Sequence, residues 1–374
     1  MRAKLGILIF LLASTLGSAQ LLAQSTEPPN APPPSILVDC AVLNDDGSSN
    51  NDIAACSSSL LNRQSLINTS TSIRNIIIDR MDAGPDQVEP AGIALDSEQD
   101  VRDRLGATGN TTIIPTADDA GSSTVSPLWN VWVDGKYSWL DDRSAIGSMD
   151  GSLVNLIVGA DYKVSDRLVI GLMGTVETSD LEGLGVLSQE TDGWGGGAYL
   201  GMSLTDNVVF SANILGASLD TGINGVSNVF DSDRIQASSA LTGYWYSGTW
   251  RYSPSLSVAW SKEWQDAILG FNAQTIETAI ISPGIQIGNT VSIGGANTVE
   301  PWLGAQLDAV ALNKVVDAGL GTVLDDPYTD LRLQGGLNLA FAGSAQLALT
   351  AEVSGILVDT SNTYTFGANF AFQF

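Results

Sequence analysis

From Trp129 to the last residue, apolar side chains recur at every second position, most plainly at the end of the chain. Tyr364, Phe366, Ala368, Phe370, Phe372 and Phe374 take the even positions, while Thr363, Thr365, Gly367, Asn369, Ala371 and Gln373 between them are small or polar. A strand sends alternate side chains to opposite faces, so such a segment has one continuous apolar face and one that is not. Val154, Leu156, Val158, Ala160 and Tyr162 repeat the pattern, and so do Val208, Phe210, Ala212 and Ile214. Val299, Pro301, Leu303, Ala305 and Leu307 follow, then Leu331, Leu333, Leu337, Leu339 and Phe341. The alternation predicts twelve strands, near residues 129–140, 152–163, 167–178, 192–204, 207–219, 233–246, 250–263, 275–288, 297–310, 329–341, 345–356 and 363–374. Between them, 163–167, 205–207, 247–249 and 342–344 read as tight turns, with 289–296 somewhat longer. The intervening segments near 141–151, 179–191, 220–232, 264–274 and 311–328 read as long loops, and 357–362 as a short one. Short turns on one side, long loops on the other and an even strand count predict an all-β fold, a transmembrane antiparallel up-and-down β-barrel.

Upstream the texture is different. Arg2 and Lys4 precede an apolar stretch from Leu5 to Leu16, and Gly17, Ser18 and Ala19 are small. That is the layout of a signal peptide cut after Ala19, or after Ala23; the apolar stretch is too short for a spanning anchor. Residues 20–126 then form an N-terminal segment, and 127–374 the barrel. Within that segment 24–35 are Pro-rich and extended, 44–52 a polar loop, and 107–127 a Gly/Ser/Thr/Asp linker. Leu66, Ile73, Ile77 and Met81 fall at seven- and four-residue steps, which predicts a helix over 57–81, interrupted in propensity by the stretch Asn68–Ser72. A second short helix fits 96–105. Cys40 and Cys56 are the only cysteines, and in an oxidising compartment a disulfide between them is the expectation, two free thiols the alternative.

Composition narrows the function classes. The chain carries 16 basic and 41 acidic residues and no histidine, a net charge of −25 that repels nucleic acid. Only 15% of residues are charged and 39 are glycine, while no apolar run after the leader approaches a membrane helix. Barrel hydrolases that use a histidine base are excluded by its absence, which leaves no enzyme expected, and no metal or cofactor either. With the apolar face outward, the lumen receives Asp134, Lys136, Asp161, Glu177, Arg234, Arg251, Glu300, Asp308, Arg332 and Glu352. They read as an ion-selective or plug-binding interior, or simply as ionisable groups that lipid excludes and that pair across strands. The Gly193–Gly197 run lacks the Lys-Ser/Thr of a phosphate loop and reads as a kink or close packing. Trp129, Trp139, Tyr162, Trp245, Trp250 and Tyr252 suit aromatic girdles. The acidic pairs Asp141-Asp142 and Asp325-Asp326 read as solvated charge in outer loops.

Several local blocks in order resemble the C-terminal translocator domain of autotransporters (type V secretion). They are Val158-Gly159-Ala160-Asp161-Tyr162-Lys163-Val164, Gly196-Gly197-Ala198-Tyr199-Leu200-Gly201, Asp233-Arg234-Ile235, Leu241-Thr242-Gly243-Tyr244, Trp250 to Leu256, Glu300-Pro301-Trp302-Leu303-Gly304 and the aromatic end. The resemblance covers about residues 127–374. It implies a twelve-stranded barrel in the outer membrane of a Gram-negative bacterium, a helix in its pore, and export of an N-terminal passenger. Outer-membrane lipid and lipopolysaccharide, periplasmic chaperones and the barrel-assembly machinery are the implied partners. Tyr364, Phe366, Phe370, Phe372 and Phe374 resemble the C-terminal signal that this machinery reads. Here only about a hundred residues, without a repeat, precede the barrel. The alternative is a plain pore or structural barrel whose N-terminal segment stays periplasmic or plugs the lumen.

Overall fold

The computed structural model describes residues 50–81, 128–142, 149–183, 187–224, 226–267, 272–294, 297–318, 321–325, 327–341, 345–358 and 361–374. Among the described residues one helix, α1 (Asn50–Met81), precedes the sheet. Its long strands are β1 (Trp129–Asp142), β2 (Met149–Ser165), β3 (Leu168–Gly183), β4 (Leu187–Thr205), β5 (Val208–Ile223) and β6 (Val226–Gly243). They continue with β7 (Trp250–Gln265), β8 (Gln274–Asn289), β9 (Asn297–Asp317), β10 (Tyr328–Ala340), β11 (Ala345–Ser354) and β12 (Ser361–Gln373). Each pairs antiparallel with the next, and β1 also pairs with β12, from Asn130 opposite Gln373 to Asp142 opposite Ser361. Trp129 and Phe374 exchange backbone hydrogen bonds of 3.1 and 3.0 Å at the seam. The sheet therefore closes into a twelve-stranded barrel with no free edge.

The period-two pattern becomes two surfaces. On β1, Trp129, Val131, Tyr137 and Trp139 are exposed outward, while Asn130, Trp132, Asp134, Lys136 and Ser138 are buried inside. The same division holds on β12, where Phe366, Phe370 and Phe372 face out and Thr363 and Thr365 face in. Trp129 packs on Tyr162 at one rim, ring centroids 5.0 Å apart, and Trp139 on Tyr364 near the other, 6.3 Å apart. An outward apolar face with a polar interior suits lipid outside and is the reverse of a soluble barrel.

Several expected loops are strand. β3 and β4 are separated only by residues 184–186, and β5 and β6 only by 224–225, so the loops expected over 179–191 and 220–232 are mostly wall. On these extensions Asp180, Glu182, Glu190, Asp192, Asp220 and Asp231 face outward, and Ser179, Gln189, Thr191 and Thr221 face inward. The outward face is polar there and the inward face mixes polar residues with isolated apolar ones such as Leu181 and Phe230, so hydrophobic alternation fades while the backbone ladder continues. Likewise β9 runs past a bulge between Val310 and Leu312 and then pairs with a short segment, Gly321–Asp325. The acidic pair Asp141-Asp142 is thus the paired end of β1, and Asp325 lies opposite Lys314. Two further short segments, Trp245–Ser247 and Val291–Gly294, extend turns of the opposite end. The Gly193–Gly197 run lies within β4, where a Cβ at Gly193 would strike Leu219 and one at Gly197 the Ile214 carbonyl. That is close packing of neighbouring strands.

The helix is also longer than its periodicity predicts. It includes Asn50, Asn51 and Asp52, expected in a polar loop, and carries Cys56. Residues 1–19, the Pro-rich stretch, Cys40, the helix expected over 96–105 and the linker lie outside the described residues. No described helix is long and apolar enough to cross a membrane; the strands cross it.

Candidate functional site

The helix α1 runs inside the barrel, in contact with strands on all sides of the wall. It has no single apolar stripe, yet nearly every residue from Ser57 to Arg80 is buried or nearly so. A polar helix is stable there only because the wall facing it is polar too, and most of its buried donors and acceptors find partners. Even the weak helix formers of Asn68–Ser72 are held. The Ser72 hydroxyl donates back to the Asn68 carbonyl at 2.9 Å and onward to Asp134 at 2.6 Å. The Asn68 amide donates to Asn155 at 2.7 Å and to Ser138 at 3.1 Å. Tertiary hydrogen bonds override propensity at this point.

The contacts fall into three tiers along the pore. Around the Asn50 end, Ser57 donates to Gln189 at 2.5 Å, Ser59 to Asn313 at 2.7 Å and Asn62 to Glu263 at 3.3 Å. Leu61 packs on Leu140, Leu153 and Leu181. In the middle, Arg234 bridges Glu177 and Glu263, both at 2.9 Å, and donates to Ser65 at 3.0 Å. Ser65 itself donates to Glu177 at 2.5 Å. Opposite, Arg332 forks onto Asp308 at 2.8 and 2.9 Å and reaches Glu352 and Thr71 at 3.5 Å. Lys136 donates to the Asn68 carbonyl at 2.8 Å. Near the Met81 end, Arg80 pairs with Asp161 at 3.1 Å and donates to Gln373 at 3.0 Å. Asp161 also accepts from Tyr199 at 2.9 Å and Asn130 at 2.8 Å, and Tyr199 accepts from Trp132 at 2.6 Å. Ile73, Ile76 and Ile77 pack into this aromatic cluster, with Ile77 so near β4 that a Cβ at Gly201 would strike it.

Six of the ten ionisable residues singled out in the sequence meet the helix directly: Asp134, Lys136, Asp161, Glu177, Arg234 and Arg332. Asp308 and Glu352 reach it through Arg332. Arg251 and Glu300 pair with each other at 2.5 Å. Sequence reasoning did not single out Glu263, Gln189, Asn313, Asn155 or Tyr199. Glu263 shares the inward parity of Arg251 on β7, and that signal was available; the neutral residues carry none.

The helix direction follows from these tiers. Gln189 lies at the start of β4 and Asn313 near the end of β9, at the barrel end where β1 and β7 finish and β2 and β8 begin. Arg80 lies beside Gln373, at the end shared by Trp129, Phe374 and the two-residue turns 166–167 and 206–207.

The family described as Autotransporter beta-domain matches residues 131–354. Among solved structures, the β domain of the Bordetella autotransporter BrkA is similar at 14% identity and a TM-score of 0.54, covering 66% of this chain and 100% of that one. The transport unit of the autotransporter AIDA-I from Escherichia coli is similar at 11% identity and a TM-score of 0.54, covering 69% and 93%. The translocator domain of the autotransporter NalP from Neisseria meningitidis follows at 9% identity and a TM-score of 0.50, covering 67% and 90%. No curated protein matches the sequence.

Proposed function

Because the chain belongs to the autotransporter β-domain family, we propose that its barrel carries the residues N-terminal to α1 to the cell surface and then keeps α1 seated in the pore. The barrel lies in the outer membrane of a Gram-negative bacterium, with lipid against its outward apolar face. The observation that carries the reading is the direction of the helix. Its Met81 end lies beside Trp129 and Phe374, which in barrels of even strand number is the periplasmic rim, and its Asn50 end lies at the opposite mouth. A chain entering α1 at Asn50 therefore arrives from outside the cell. The cargo in this reading is the chain on the N-terminal side of Asn50. Residues 1–19 act as the signal peptide in this reading. Periplasmic chaperones and the barrel-assembly machinery receive the aromatic C-terminus, and lipopolysaccharide surrounds the outer rim.

Cys40 and Cys56 test the proposal. After mild reduction of intact cells, a membrane-impermeant thiol reagent should label Cys40 without permeabilisation, using Cys56→Ser to isolate it. Labelling of Cys40 only after the outer membrane is opened would place the segment in the periplasm and return the plain-barrel reading.

A further inference from the structure

Arg74 differs from the other arginines of the pore. Arg80, Arg234, Arg251 and Arg332 each meet a carboxylate. Arg74, only 8% exposed, has no hydrogen-bond or ion-pair partner among the described residues. A buried guanidinium left in that state is costly, so something must stand against it. Its side chain borders a small, partly enclosed cavity between α1 and the wall of β5–β10. Thr71 and Ser70 line the helix side; Ser211, Ser238, Ser257 and Ser282 line the wall.

Charge and size together identify the occupant. The groups acting on Arg74 are the Arg332 and Lys136 cations, the Tyr244 hydroxyl and the Glu352 and Asp308 carboxylates, so that with Arg74 itself three cations stand against two carboxylates. Arg332 borders the cavity as Arg74 does, but Asp308 and Glu352 do not; both carboxylates pair with Arg332. The two cations thus face the space and the carboxylates do not, so the local potential favours an anion. Serine hydroxyls rotate and can donate to it. Gln306 also borders the cavity; its Nε2 donates to Ser257 at 3.5 Å and its Oε1 is unpaired. Turning that amide over aims its N–H groups at the cavity, and Oε1 then accepts the Ser257 proton that otherwise goes to the Ser282 carbonyl at 3.4 Å. The space holds about one water-sized particle. A phosphate or carboxylate is too large. We propose that a halide ion, chloride in the cell, sits between Arg74, Arg332 and the serine hydroxyls and ties the middle of the helix to the wall. The inference needs the helix in its seat but not the export reading.

The test uses the full-length barrel purified in detergent. Its unfolding midpoint should rise by a few degrees in chloride or bromide relative to gluconate at equal ionic strength, and the rise should saturate. Arg74→Gln should abolish this halide dependence and Arg74→Lys should keep it. Crystals in bromide should show an anomalous peak beside Arg74, which decides the matter even where the glutamine variant does not assemble. The same midpoint in halide and gluconate, or no bromide peak, means that water alone fills the cavity and overturns the proposal. Saturable halide dependence surviving in Arg74→Gln overturns it too.

Discussion

Arg234 joins two wall carboxylates to the helix, at 3% side-chain exposure, with Glu177 and Glu263 nearly as buried. Replacing Arg234 with Met leaves two buried carboxylates without the cation that pairs them. Removing one partner of such a pair costs on the order of 3–5 kcal/mol. The variant should unfold at a clearly lower temperature in a detergent melt, and Arg234→Met with Glu177→Gln and Glu263→Gln should recover much of the loss. A triple variant no better than the single one would mean that packing around Arg234, not charge, sets the stability. Steric fit operates at the same scale. The Trp132 ring covers Gly159 so closely that a Cβ there would overlap it, and the Tyr199 ring covers Gly171 in the same way. These glycines make room for the aromatic rings that surround the lower turns of the helix.

At the scale of elements, the helix and the wall are complementary rather than independently stable. A helix polar on most of its surface has little reason to form in water. Inside the barrel its serines and asparagines answer those of the wall, and three apolar clusters hold it at separate heights. The helix fills the lumen, so full-length protein in planar bilayers should conduct little. A variant lacking residues 24–110 should open a larger, steady conductance. Equal conductance from both would show that the helix leaves the pore in the membrane. The strands have their own division of labour. β3 to β6 stand beyond the apolar band as a polar wall carrying Asp192, Asp220 and Asp231 on adjacent strands. β11 is shorter, ending at Ser354, and the gap beside β10 is stitched by Asp330, which accepts from the Gly355 and Leu357 amides at 2.6 and 3.2 Å.

The whole molecule is a closed cylinder, and closure is what makes it survive in lipid, where an unpaired strand edge would be untenable. Unboiled protein in detergent gels should migrate differently from boiled protein, with circular dichroism dominated by β signal. A mainly helical spectrum would count against the fold. Assembly places its own demand on the seam, since the last strand must find the first. Phe374 donates and accepts across that seam with Trp129 and stacks at 6.1 Å on Phe372. Deleting Phe374, or replacing it with Asp, should lower outer-membrane yield sharply and leave protein to periplasmic degradation. An unchanged yield would remove the aromatic terminus from the assembly step.

Alternation with period two is a local property, and it was enough to place the twelve strands, to say which side chains face lipid, and to put Arg234 and Glu177 on the inner surface. The ends of the strands were not legible where the outward face turns polar, as at Asp180 and Glu190, because a backbone ladder leaves no hydrophobic trace. The helix was half legible: Leu66, Ile73, Ile77 and Met81 gave its period, but its first turns carry no such spacing. Pairing is non-local, so nothing in the sequence said that Ser65 would meet Glu177 and Arg234, that Arg80 would meet Asp161, or that Arg74 would meet no carboxylate at all. Those outcomes depend on the height and rotation of one helix inside a closed wall, which only packing against every strand at once determines.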